Sequence, residues 1–106
     1  MLQKLLLLFT FFICSIGFSQ EKSVDKLIAS PNPFYNETEI SFQSSSNQTI
    51  FISIKNVLGK TVFSKNIDAQ KGNNTIPFYR NDLKSGMYIY AIQTKSDFIS
   101  KRFVIR

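Results

Sequence analysis

The fold is decided by residues 82–106, DLKSGMYIYAIQTKSDFISKRFVIR, which hold two alternating stretches separated by a polar break at Ser96-Asp97. In both stretches large apolar residues take every second position, which is the period of a strand with one buried face. These residues are Tyr88, Tyr90 and Ile92 in the first stretch and Phe103 and Ile105 in the second. The pattern predicts a β-hairpin, and truncation within its second strand is expected to damage the fold.

The approach to this hairpin has the spacing of a tyrosine corner. Leu83 and Gly86 come just before Tyr88, and in such a corner the phenol hydroxyl hydrogen-bonds to upstream main chain of a β-sandwich. An ordinary strand tyrosine is the alternative, because the sequence shows no partner for the hydroxyl.

Further short strands are predicted before the hairpin by the same alternation, with turn residues between them. They lie at 38–43, 49–55, 61–67 and 75–79, and Leu27-Ile28 suggests a first edge strand. Gly59 is placed to adopt a positive φ in the turn at 56–60, and Lys71–Asn74 is predicted as another turn. Pro77 cannot donate a hydrogen bond to a neighbouring strand, which suits an edge position.

Six or seven short strands with no helical period predict an all-β fold, namely an antiparallel immunoglobulin-like β-sandwich. A small barrel is the alternative. Two prolines around Asn32, at Pro31 and Pro33, lock an extended entry into the domain and forbid a helix there. We therefore expect the domain to span 31–106, after a short linker at 20–30.

The first 19 residues have the three-part layout of a secretory signal peptide. Lys4 supplies a positive charge, 5–13 is an apolar run interrupted only by Thr10, and Gly17-Phe18-Ser19 offers small residues before a cleavage site. A retained membrane anchor is the alternative, although a span needs about 20 apolar residues. Lipidation of Cys14 is not expected, because a small residue should precede the cysteine. No transmembrane segment is expected to remain after cleavage.

Loss of this segment leaves a domain with no cysteine, histidine or tryptophan, which must be stabilised by its hydrophobic core alone. The chain carries 13 Lys and Arg against 7 Asp and Glu, a formal net charge of +6. Basic residues interleaved with aromatics can indicate nucleic-acid binding. Here they are spread one or two per strand in an exported protein, so no nucleic-acid partner is expected. The charge favours solubility or attraction to an acidic surface.

The sequence offers little for catalysis or for a cofactor. A Ser-His-Asp or Cys-His arrangement and the usual zinc ligand sets need residues that the exported chain lacks. Glu37 and Glu39 share a strand face, which is predicted to be solvated rather than a carboxylate or calcium site. Asp68, Asp82 and Asp97 lie in or beside turns, where Asp hydrogen-bonds locally. We expect no enzyme, no metal and no cofactor.

Aromatic residues support an alternative function. Phe51, Tyr79 and Tyr90 could form a platform for sugars, which would make the chain a small secreted adhesin or carbohydrate-binding sandwich. They are equally suited to the core or to cross-strand pairs.

With these landmarks in place, the chain resembles the C-terminal sorting domain of the type IX secretion system of Bacteroidota bacteria. The resemblance rests on short motifs in a fixed order over about 75 residues. They are Pro31-Asn32-Pro33-Phe34, Val57-Leu58-Gly59-Lys60, Gly72-Asn73, Leu83-Lys84-Ser85-Gly86-Met87-Tyr88 and Lys101-Arg102-Phe103-Val104-Ile105.

The resemblance implies a non-catalytic module that the outer-membrane translocon recognises and that a surface sortase usually removes. It implies passage through the periplasm to the cell surface or the medium. The residues implied in recognition are Gly86, Tyr88, Lys101, Arg102, Phe103, Val104 and Ile105, with Pro31, Asn32, Pro33 and Gly59 shaping the entry and the turns. A sandwich with an exposed sheet edge and a basic last strand could be bound by β-addition or by charge.

The sequence departs from the family pattern in three places. Only 21–30 separates the predicted signal peptide from Pro31, so almost no cargo is expected, whereas the family's domain follows a large cargo. Asn56 stands where the family often has Asp, and Ser96-Asp97 stands where Asn-Gly is common. The two turn changes are mild. The missing cargo leaves open a free-standing sorting module, a gene remnant or a surface protein with another use.

Overall fold

Seven β-strands make up the secondary structure of residues 22–106, the part of the chain that this computed structural model describes. They are β1 (Val24–Ser30), β2 (Glu37–Ser44), β3 (Gln48–Asn56), β4 (Thr61–Ala69), β5 (Gly72–Tyr79), β6 (Gly86–Gln93) and β7 (Phe98–Ile105). All paired strands are antiparallel. The predicted signal peptide at 1–19 lies outside the described residues.

The strands form two sheets that pack face to face. Sheet A has three strands in the order β1-β2-β5, and sheet B has four in the order β4-β3-β6-β7. The predicted antiparallel β-sandwich is confirmed, and its two separate sheets replace the small barrel that was the alternative. The hairpin predicted from 82–106 is formed by β6 and β7, which pair in continuous register from Gly86 opposite Ile105 to Gln93 opposite Phe98.

The core lies between the sheets and is filled by the residues that alternation placed inward. The central strands β2, β3 and β6 and the edge strand β7 each supply a row of large side chains that are almost fully buried. These rows are Ile40 and Phe42 in β2, Ile50, Ile52 and Ile54 in β3, Tyr88, Tyr90 and Ile92 in β6, and Phe103 and Ile105 in β7. The period of two in the sequence therefore predicted which face of each strand is buried.

Two boundaries differ from the sequence interpretation. The segment predicted as a turn at Lys71–Asn74 is shorter, because β5 begins at Gly72 and pairs there with Ser44 of β2. Gly72 has a φ of +104°, which lets the chain cross from sheet B to sheet A within two residues. The predicted linker at 20–30 includes strand β1, so the edge strand suggested by Leu27-Ile28 is present, with Leu27 buried and Ile28 exposed.

Polar contacts at one end of the sandwich join β1 to the loop between β6 and β7. A carboxylate oxygen of Asp97 accepts hydrogen bonds from the main-chain N–H and the hydroxyl of Ser23, both at 2.7 Å. The Asp97 N–H donates to the Thr94 hydroxyl at 2.9 Å. The hydrogen bonds from Ser23 hold the pKa of the Asp97 carboxyl below its usual value, because they favour the ionised form.

This lowered pKa predicts that acid weakens the fold at the Ser23–Asp97 contact. A depressed carboxyl pKa contributes stability above its unfolded value, and that contribution is lost as the pH falls through the folded value. The urea midpoint is measured at about pH 6 and about pH 3. Between these two pH values, the midpoint of the wild type should fall further than that of Asp97→Asn. The control is Asp82→Asn, which alters a carboxyl in an exposed turn, and its midpoint should fall as far as that of the wild type. Equal losses in all three proteins would show that the contact adds no acid dependence.

Candidate functional site

The tyrosine corner predicted before the last hairpin is present. The Tyr88 hydroxyl donates to the main-chain oxygen of Lys84 at 2.7 Å, and the ring is buried in the core. Gly86 opens β6 with a φ of +148°, and Gly59, in the turn between β3 and β4, has a φ of +83°. Both values lie in the region that favours glycine. The Tyr88–Lys84 hydrogen bond and the conformation of Gly86 fix the direction in which β6 enters the sheet.

The entry motif lies along the outer edge of the terminal strand β7. The Val104 N–H donates to Oδ1 of Asn32 at 3.0 Å, and Nδ2 of Asn32 donates to the Arg102 oxygen at 3.2 Å. The Phe34 N–H donates to the Val104 oxygen at 3.0 Å, and the Arg106 N–H donates to the Phe34 oxygen at 2.8 Å. The Asn32 amide thus takes the place of a peptide unit, and the outer edge is paired from the Arg102 oxygen to the Arg106 N–H, just beyond the end of β7.

We expect Asn32→Ala to open this edge without unfolding the domain. The variant loses two hydrogen bonds, each worth about 1 kcal/mol, so the free energy of unfolding should fall by about 1–2 kcal/mol. Amide hydrogen exchange at Val104 should become faster. The control is Asn36→Ala, since the contact of Asn36 with Arg80 is made by its main-chain oxygen. Unchanged Val104 exchange in Asn32→Ala would refute the role of the amide.

Arg80, which the sequence interpretation missed, joins three separate segments. Its Nε donates to the Leu83 oxygen at 2.8 Å, and one terminal nitrogen donates to the Ser85 hydroxyl at 3.1 Å. The other terminal nitrogen donates to the main-chain oxygens of Tyr35 and Arg106. A single side chain therefore ties the segment after the entry motif and the loop before β6 to the end of β7. The sequence shows only an arginine just after a strand. Two of its partners, Tyr35 and Arg106, are 45 and 26 residues away along the chain.

Arg80→Lys is expected to destabilise the domain although the positive charge is kept. A lysine ammonium cannot reproduce the planar fork that reaches several acceptors at once, and hydrogen bonds to a charged group are worth about 1.5–3 kcal/mol each. We expect the free energy of unfolding to drop by about 1.5–3 kcal/mol, with faster amide exchange at Arg106. Arg102→Lys, at an exposed position, is the control and should change stability by less than about 0.5 kcal/mol. Similar losses in both variants would contradict the account.

An aromatic cluster in the core fixes the terminal strand from the inside. Phe103 is fully buried, and its ring centroid lies 5.1 Å from that of Phe34, 5.3 Å from Tyr90, 5.6 Å from Phe78 and 5.9 Å from Tyr88. Ile105 is buried beside this cluster. Three of the residues implied in recognition, Tyr88, Phe103 and Ile105, are therefore core residues that a partner cannot touch while the domain is folded.

The other side of the terminal hairpin is a mixed basic and apolar surface. Arg102 and Arg106 are exposed, and Val104 is 39% exposed. Met87 and Ile89 are exposed to the same extent and lie directly opposite Val104 and Arg102 in β6. We call Met87, Ile89, Arg102, Val104 and Arg106 the outer hairpin face. Met87 and Ile89 were missed as surface residues, although their alternation with Tyr88 and Tyr90 places them there.

Lys101 belongs to a different side of β7. It is exposed, but it lies opposite the buried Tyr90, so it is on the side of the strand that faces the core. Together with Arg102 and Arg106 it gives the end of the chain three exposed cations within six residues. These cations can attract an acidic partner. The partly exposed aliphatic side chains of the outer hairpin face can be buried when that partner binds.

The proposed sugar platform is not assembled. Tyr90 is 2% exposed and lies in the core, where burial raises the pKa of its hydroxyl. Phe51 and Tyr79 are exposed but belong to different sheets, Phe51 to sheet B and Tyr79 to sheet A. A ligand could not stack on all three rings at once, so these residues do not support a single glycan site.

The two carboxylates that share a strand face lie on the surface. Glu37 and Glu39 are both exposed on β2, two residues apart. Across residues 22–106 no group of three or more acidic, histidine or cysteine residues could hold a metal ion. Among the same residues no helix is long and apolar enough to cross a membrane.

In this β-sandwich the entry motif contacts the terminal strand β7, and Arg80 joins the loop before β6 to Arg106 at the end of that strand. Comparison with known families identifies the domain. Residues 29–106 match the model of the secretion system C-terminal sorting domain, and the chain belongs to that family of type IX sorting signals. Membership implies export to the cell surface or the medium through the type IX machinery. No curated protein matches the chain by sequence.

Proposed function

We propose that this domain is a non-catalytic sorting signal that the type IX outer-membrane translocon recognises through the outer hairpin face and Lys101. The sortase then acts on the exported chain. The observation that carries the proposal is the way β7 is held. The entry motif pairs with its outer edge, and the aromatic cluster holds its buried side. Its exposed cations and aliphatic residues are left as the contact surface.

The entry motif already pairs with the outer edge of β7, and this limits how a partner can bind the domain. The Arg102 oxygen, both main-chain groups of Val104 and the Arg106 N–H already have partners. Addition of a partner strand at this edge would first require the entry motif to leave. Contact through side chains requires no such opening, so we favour recognition by charge and apolar burial over β-addition at β7.

We propose that residues 1–19 deliver the chain to the periplasm and are removed there. The basic start and the apolar run in the sequence support this proposal. The purified exported protein should then begin at Gln20, as mass spectrometry would show.

A fluorescent fusion tests the sorting role. The fluorescent protein is inserted between Glu21 and Lys22 of the full chain, in a Bacteroidota host with a working type IX system and in the same host lacking the translocon. We expect fluorescence at the surface or in the medium only in the first host, and periplasmic retention in the second. Retention in both hosts would refute the sorting role, and export from both would show that another route carries the protein.

A further inference from the structure

The two sheets leave four edge strands, and three of them are protected from pairing with a further strand. β7 is covered from 102 to 106 by Asn32 and Phe34, as described above. β1 is interrupted by a register shift between Asp25 and Ile28, with Lys26 at a φ of +54°. A bulge of this kind makes an edge a poor template for a new strand.

The edge of β5 is protected by proline. The Arg80 N–H, which continues the β5 ladder, donates to the Asn36 oxygen on the β2 side. Because successive residues of a strand direct their main-chain groups to opposite sides, Pro77 faces the outer edge, where it has no N–H to donate. A strand added to the outer edge of β5 would find no hydrogen-bond donor at Pro77.

The edge of β4 carries no such protection from Phe63 to Ala69. A register shift opposite Ile54 and Lys55 leaves Val62 without a partner near the start of β4, and from Phe63 onward β4 pairs with β3 in continuous register. Within residues 22–106 no strand pairs with its other side. The Asn56 N–H donates to the Lys60 oxygen, so alternation along β3 directs the main-chain groups of Ile54, Ile52 and Ile50 to β4. Their partners beyond the register shift, Phe63, Lys65 and Ile67, face β3. The main-chain groups of Ser64, Asn66 and Asp68 therefore face the outer edge. A nine-residue strand with three consecutive outward residues can accept an added strand.

The core-facing side of β4 indicates what such a strand should carry. Phe63 lies opposite Ile54, Lys65 opposite Ile52 and Ile67 opposite Ile50, so these three residues point to the side of sheet B that covers the core. Phe63 and Ile67 are only partly buried, and Lys65 is exposed between them. A neighbouring strand that matches this row needs apolar residues at its flanks and a carboxylate at its centre.

We propose that the outer edge of β4 is the docking site for an extended, acidic segment of a partner protein, which adds to sheet B as a fifth strand. Main-chain hydrogen bonds to Ser64, Asn66 and Asp68 provide the pairing, and Lys65 selects for an acidic residue. Positively charged residues exceed negatively charged ones in the chain, which favours the approach of such a segment. This site is remote from the outer hairpin face and does not depend on the sorting role.

A second copy of the chain is a poorer occupant. An antiparallel pair of β4 strands related by a twofold axis, with their core-facing sides aligned, would bring the two Lys65 residues opposite or diagonal to each other. Like charges at such positions destabilise a strand pair. Lysine near the middle of an edge strand is a common means of preventing self-association.

The test is an NMR titration of residues 20–106, purified from the periplasm of the host that lacks the translocon, with a capped peptide Thr-Thr-Ile-Thr-Glu-Thr-Ile-Thr-Thr. Its control has lysine in place of glutamate. We expect chemical-shift changes centred on the amides of Ser64, Asn66 and Asp68, and about three- to tenfold tighter binding of the glutamate peptide. Lys65→Glu should reverse this preference, whereas Lys55→Glu, on the opposite face of the sheet, should preserve it.

A second variant separates docking from folding. Asn66→Pro removes an outward N–H and leaves the pairing with β3 intact, so it should abolish binding of both peptides with little change in the melting temperature. The proposal is overturned if neither peptide perturbs the β4 amides, if the shifts lie along β5 or β7, or if Lys65→Glu leaves the preference unchanged. It is also overturned if sedimentation shows a dimer that Asn66→Pro disrupts.

Discussion

Phe103→Ala is expected to bring the domain to the limit of stability. Replacing a buried phenylalanine by alanine costs about 3–5 kcal/mol, and Phe103 is fully buried against four other aromatic rings. A small domain has a total stability of only about 5–10 kcal/mol. In urea unfolding followed by circular dichroism, we therefore expect the midpoint to fall by about a third or more.

The adjacent residue provides the control. Val104 is 39% exposed on the outer hairpin face, so Val104→Ala should lower the free energy of unfolding by less than about 1 kcal/mol. If the two variants unfolded at the same urea concentration, β7 would not be held by its buried side and the account of the terminal strand would be wrong.

The same packing explains why truncation is a poor test of sorting. Removal of 101–106 takes Phe103 and Ile105 out of the core and leaves Asn32, Phe34 and Arg80 without their partners on β7. Such a chain loses its fold as well as its exposed terminal residues. Failure of export would then have two causes that cannot be separated.

Alternation predicted the sandwich well, because a strand with one buried face repeats every two residues. The row Tyr88, Tyr90, Ile92 was placed correctly on the buried face, and the tyrosine corner was predicted from the spacing of three residues. Tyr90 was also considered as a surface ring, and its burial rules this out. Its own alternation with Tyr88 already indicated the core.

Long-range polar contacts were beyond the sequence interpretation. Asn32 was noted as a turn residue, but its amide pairs with Arg102 and Val104, about 70 residues further along the chain. Arg80 was not singled out, because a single arginine after a strand does not reveal which main-chain oxygens the fold will bring to it. Such contacts depend on which edges the topology places together, and periodicity carries no information about that.

Reversal of the three exposed terminal cations is expected to abolish export and leave the fold intact. Lys101, Arg102 and Arg106 expose their side chains, so the triple change to glutamate removes no core contact. It converts a basic surface into an acidic one, and like-charge contact with an acidic partner costs several kcal/mol. We expect export of the fluorescent fusion to fall by at least tenfold, with a urea midpoint close to that of the parent.

A matched reversal elsewhere on the domain controls for net charge. Lys60, Lys71 and Lys95 are exposed outside the outer hairpin face, and their change to glutamate alters the net charge by the same amount. This variant should be exported as the parent is.

The most direct test of the account is the amount of fluorescent fusion at the surface and in the medium, compared for the parent, the terminal reversal and the matched reversal. All three must first show equal urea midpoints. We predict that only the terminal reversal stays in the periplasm. Export of the terminal reversal at the parental level would contradict the claim that the exposed residues of the last strand are the recognised surface.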